Sequence, residues 1–161
     1  MLAILAWLAM AAYAAHVLEE YTLDWRNWAR AVIGLPVEWS DFFVTNSVVV
    51  ALGIAAAMLA ETFPFAVLTY AALMLVNAVF FHILPFLRTG GRFSPGLFTA
   101  VTMFLPLGLA VMVEAIRSGT AGPATIVLAF VGGGLLMAYP VVLLKLKDLP
   151  YFRQSSEEAR G

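Results

Sequence analysis

His16, Glu19 and Glu20, in the run His16-Val17-Leu18-Glu19-Glu20, are the residue types in this chain best suited to chemistry. Positions i, i+3 and i+4 of a helix share one face. The spacing therefore predicts an imidazole and two carboxylates projecting together, with Tyr13 joining them at i−3. The stretch that carries them is otherwise apolar from Leu2 onward. Charge inside a lipid-facing helix is expensive, and a metal, a partner residue or a proton path is the usual compensation. Two imidazoles and two carboxylates, counting His82 further along, are enough ligands for one or two divalent ions. A donor set of His and Glu without Cys suits Zn, Fe or Mn. A carboxylate desolvated beside a histidine equally suits metal-free acid–base catalysis.

The elements that position these groups follow from composition. The chain has 161 residues, of which 63% are hydrophobic and 12% charged. Soluble domains carry about twice that share of charge. Long apolar stretches lie between short charged ones, which predicts a single-domain, all-α, polytopic membrane bundle over residues 1–150 and a polar cytoplasmic tail, frayed or disordered, over 151–161. There is no cysteine, so disulfides, thiolate metal sites and cysteine nucleophiles are excluded. A net charge of −1 carries no nucleic-acid footprint. Ala12-Tyr13-Ala14 resembles a signal-peptide cleavage site, but no Lys or Arg precedes the apolar run, so the positive region of such a signal is missing.

Five spans are expected, at about Leu2–Tyr21, Asp41–Ala60, Pro64–Leu84, Pro95–Arg117 and Pro123–Leu144. Each is close to the ~20 residues that cross the hydrocarbon core. Trp25, Trp28 and Trp39 suit the interface. The short linkers predict antiparallel packing of successive helices. Arg26, Arg30, Arg88, Arg92, Lys145, Lys147, Arg153 and Arg160 fall on one side and only Arg117 on the other. The positive-inside rule then places the N-terminus outside and the C-terminus in the cytoplasm.

With that orientation, four spans carry polar residues at similar depth, roughly 5–15 Å from the midplane on the cytoplasmic side. They are His16, Glu19 and Glu20; Asn46; Asn77 and His82; and Thr99 after Ser94-Pro95-Gly96. On a straight α-helix Asn77 and His82 diverge by about 140°, so both line one cavity only if it is wide or the helix bends. Asn46, Asn77 and Thr99 also fit plain interhelical hydrogen bonding, Glu20 a carboxylate solvated among headgroups, and His82 a core histidine bonded to a carbonyl. Ser94 is expected to cap the fourth span and Pro95 to occupy its first turn; the exposed N–H groups there would attract an anion or carboxylate. Gly132-Gly133-Gly134 is expected to permit close helix packing.

The ordered set His16, Glu19 and Glu20, then Asn77, His82, Ser94-Pro95-Gly96 and Thr99, resembles the HXXEE family of small bacterial membrane proteins. The resemblance covers roughly the first hundred residues. It implies an integral membrane fold in a bacterial inner membrane and a shared site, and brings no established activity with it.

Three functions fit. The first is a membrane-embedded metalloenzyme with His16, Glu19 and His82 as ligands, Glu20 as ligand or general base, and a lipophilic substrate entering sideways from the membrane. The second is a metal-free acid–base enzyme acting on a lipid or isoprenoid with the same residues, Glu19 and Glu20 catalytic. The third is a proton- or ion-path protein, or a subunit that pairs with a partner or a second copy; no inverted repeat or pair of interrupted helices supports transport.

Overall fold

The computed structural model describes residues 1–147, Leu149 and Tyr151. Most of the expected polar tail, from Phe152 on, lies outside the described residues. Everything regular among the described residues is helical, and five helices are long and apolar enough to cross a membrane. They run Leu2–Thr22, Trp39–Met58, Pro64–Arg88, Leu97–Arg117 and Pro123–Lys147, and are called the first to fifth helices below. In lipid, backbone groups must be satisfied within the segment, which is why apolar runs of this length become helices.

Helix ends follow local chemistry. The first helix stops at Leu23, and Asp24 turns the chain with φ of 59°. Pro64 occupies the first turn of the third helix, where its missing N–H costs nothing. The second helix begins at Trp39, two residues earlier than expected. There the Asp41 carboxylate accepts the Glu38 backbone N–H at 2.9 Å and fixes the first turn. Between the first two helices, Trp25–Trp28 and Ala29–Ile33 form a short helical element. Trp28, Ala29 and Val37 make a small separate core there.

The third helix is the hub. It packs against all four others and is the most buried of the five. Successive packing holds for the first three connections only. The fifth helix lies chiefly on the third rather than on the fourth. The reason is Gly133: a Cβ there would meet the Leu73 backbone nitrogen at 2.6 Å and the Ala72 Cβ at 2.9 Å. Gly132 faces Thr69 in the same way, whereas Gly134 faces open space. Two of the three glycines therefore serve the close approach expected of them.

Two helices widen as they near the site. Ala78–Ile83 of the third and Ala100–Phe104 of the fourth are π-helical. Each is followed two residues later by a proline, Pro85 and Pro106. Proline has no N–H for the carbonyl four residues back and clashes with it, and a wider turn relieves both problems.

Candidate metal centre

Three elements meet at one end of the bundle: the last turns of the first helix, the π-helical turn of the third, and the start of the fourth. Glu20 Oε1 lies 3.5 Å from His16 Nε2 and 3.5 Å from His82 Nε2. The ligand atoms of all three residues fall within 4.8 Å of one another. The imidazole rings stand edge-on, with centroids 4.8 Å apart at 87°. His16, Glu20 and His82 are 1%, 5% and 0% exposed.

The far side of each ring is held by a hydroxyl, and that fixes the near side. Thr99 Oγ1 is 2.6 Å from Glu19 Oε2, a carboxylate oxygen that only accepts, so the hydroxyl proton is committed there. His16 Nδ1, 2.8 Å from the same hydroxyl, must then be the donor. On a neutral ring its Nε2 is left with a lone pair. The Ser94 hydroxyl, 3.0 Å from His82 Nδ1, has carbonyls to donate to at Phe81 and Pro95, 3.4 and 3.5 Å away. Phe81 is the residue whose carbonyl Pro85 cannot serve. With Ser94 donating to one of these carbonyls, His82 Nδ1 is the donor and, on a neutral ring, its Nε2 carries a second lone pair. Both Nε2 atoms are buried without a hydrogen-bond partner.

Glu19 departs from the expected shared face. Its carboxylate turns to the fourth helix and accepts from the backbone N–H of Gly96 at 3.1 Å, Phe98 at 3.1 Å and Thr99 at 2.8 Å, besides the Thr99 hydroxyl. A carboxylate was expected at these N–H groups, and it comes from the chain itself. The first turn of a helix leaves such donors unpaired, and its dipole favours negative charge. Capping by Glu19 also explains why Ser94 does not cap. The helix begins at Leu97 rather than Pro95, and Ser94 is spent on His82.

Gly96 is what sequence reasoning undervalued. With φ of 93° it sits against the cluster, where a Cβ would meet His82 Cε1 at 2.6 Å, His16 Cε1 at 2.7 Å and Glu20 Cγ at 3.0 Å. Phe104 was also missed. It is fully buried, with its ring 4.3 Å from that of His16 and stacked on Tyr13 at 5.8 Å. An apolar residue in an apolar helix gives no sequence signal for such a role.

The remaining polar residues make no hydrogen bond to the histidines. Tyr13 donates to Asn46 Oδ1 at 2.6 Å, and Asn46 donates to the Phe42 carbonyl at 3.0 Å. That pair ties the first helix to the second. Asn77 Oδ1 is buried with no hydrogen-bond partner, in a cleft that Glu20 also lines. Asn77 lines that cleft and His82 does not, so the π-helical turn between them does not bring the two side chains to one wall.

No curated protein and no solved structure matches this chain. A family model does, over residues 7–111, which takes in all of the motif residues described above and leaves out the fifth helix. The chain belongs to the family described as proteins of unknown function with HXXEE motif.

Proposed function

We propose that His16 Nε2, Glu20 and His82 Nε2 bind one divalent metal, Zn, Fe or Mn, and that the protein is a membrane-embedded enzyme acting on a lipophilic substrate. One observation carries this reading. Two imidazole Nε2 atoms, lone pairs on neutral rings, and a carboxylate converge in a buried space, and neither Nε2 has a hydrogen-bond partner. Three acceptors repel one another unless a cation stands between them. Ligands about 2.0–2.1 Å from a tetrahedral ion lie roughly 3.3 Å apart, close to the 3.5 Å separations observed.

Thr99 and Ser94 then act as outer partners that hold ring orientation and tautomer, the usual arrangement behind metal-bound histidines. Three protein ligands leave a position for water or a substrate oxygen, the pattern of catalytic rather than structural sites. The metal would supply Lewis acidity and a more acidic bound water. Glu19 supports the centre through Thr99 and the fourth helix. The distribution of basic residues supports placing this centre near the cytoplasmic face of the membrane.

The test is elemental analysis of protein purified in detergent without chelators, beside a His16→Ala/His82→Ala variant. Stoichiometric metal in the wild type and none in the variant, with unchanged helical circular dichroism, is the expected result. A metal-free wild type overturns the reading. The three acceptors would then be holding a shared proton, and acid–base chemistry by Glu20 or a proton path would take its place.

A further inference from the structure

A cleft of about 480 Å³ opens from the proposed centre between the second and fifth helices. That is within the range of small-molecule sites. Its inner wall carries Glu20 and Asn77, and its outer walls are mostly apolar, with Asp41 and Lys147 among their polar residues. Val44 and Val49 face it from the second helix, and Met137, Val141 and Leu144 from the fifth. The second and fifth helices scarcely touch each other, so the opening is lateral. From Leu136 to Lys147 the fifth helix rises about 16 Å, which sets the length of the apolar wall.

We infer that this cleft binds a single-chain amphiphile, fatty or isoprenoid, whose head is small, uncharged and oxygen-bearing. The chain lies along the second and fifth helices and the head reaches Asn77 and Glu20. Charge selects the head. Glu20 and Asp41 line the cleft, and its one lining cation, Lys147, is paired with Asp41 at 2.5 Å. A phosphate or carboxylate head would meet Glu20 and the neutral Asp41–Lys147 pair, and no unpaired side-chain cation. The Asn77 side chain lines the cleft and makes no hydrogen bond within the protein, and an alcohol can pair with its amide. The inference deepens the enzymatic reading through the head group, while the chain site stands without metal.

The test is photo-crosslinking of the whole protein in nanodiscs with a diazirine-bearing hexadecanol, alongside palmitate and hexadecyl phosphate carrying the same diazirine. The expected result is labelling of Val44–Val49 and Met137–Leu144 by the alcohol, suppressed by excess plain hexadecanol and weaker with the two anions. Met137→Trp fills the cleft from a lipid-facing helix and should abolish that labelling with metal content intact. Asn77→Leu should keep the chain labelled and erase the preference for the alcohol. Even labelling of every outward-facing helix surface, or labelling unchanged by Met137→Trp, overturns the site. Equal labelling by hexadecyl phosphate overturns the head-group assignment. His16→Ala/His82→Ala removes the metal and leaves the labelling, so failure of the metal reading is distinguishable from failure of this one.

Discussion

At the end of the bundle that carries Glu61, Glu114 and Arg117, helices meet through small apolar side chains. Ala57, Ala60, Val67, Ala115 and Ala121 are all buried there. The third and fourth helices are regular α-helix over Pro64–Asn77 and Leu105–Arg117, and Gly108 lets the fourth lie against Leu75 of the third. At the other end the same two helices widen into π-helical turns, and the contacts are hydrogen bonds among His16, Glu19, His82, Ser94 and Thr99. The difference shows where this chain accepts constraint. Apolar packing tolerates small shifts at modest cost, whereas a buried polar group with a missing partner costs about 1–3 kcal/mol. The polar end therefore needs each of its residues, and the apolar end needs mainly their size.

Glycine substitutions give the largest contrast. Gly96→Ala places a Cβ against both histidine rings at a backbone angle that L-residues rarely adopt. It should cost about 2–4 kcal/mol and remove bound metal. Gly108→Ala also meets a neighbour, Leu75 Cγ at 2.7 Å, but should lower the melting temperature in detergent with metal stoichiometry intact. Metal loss in both variants would erase the distinction between the ends.

The adjacent carboxylates sharpen it further. Glu19→Gln strips the charge from the start of the fourth helix and should cost about 1–3 kcal/mol, with metal affinity reduced roughly 10–100-fold as for other outer partners. Glu20→Gln should abolish metal binding at unchanged or slightly raised stability, because a buried carboxylate is removed. Melting curves and metal titration of the two variants side by side separate the roles. The opposite pattern would exchange them.

The smallest effect is expected outside the spans. Hydrogen bonding from Arg26, with Arg30 alongside, holds the Glu38 carboxyl below the usual carboxylate range. A lowered folded-state pKa means stability present above the ordinary carboxylate pKa and lost as pH falls through the lowered value. Glu38 is solvent-exposed, so screening keeps the contribution small. Glu38→Gln should slightly flatten the acid limb of a melting-temperature profile, and a large change would mean that this loop clamps the bundle.

Much of this molecule follows from local properties. Five apolar stretches near membrane length make five helices, because hydropathy and length act within each segment. His16, Glu19, Glu20 and His82 were legible as a group because intramembrane ionisable residues are rare and need partners, and the structure brings His16, Glu20 and His82 together. The ends of spans drifted by a few residues, as when the third ran on to Arg88, since side-chain contacts extend a helix beyond its apolar core.

What the chain's order could not decide was the division of labour between Glu19 and Glu20. Both sit within one turn of His16, and helical spacing gives them a common face. They separate because the fourth helix presents unpaired N–H groups to Glu19, while the π-helical turn of the third brings His82 to Glu20. The seat of the fifth helix was likewise decided in three dimensions. Three consecutive glycines signal a close approach, but only the matching surface at Ala72 and Leu73 selects the third helix as the partner. Membership of a helix is a property of a segment; the partner of a carboxylate is a property of whatever other segments bring to it.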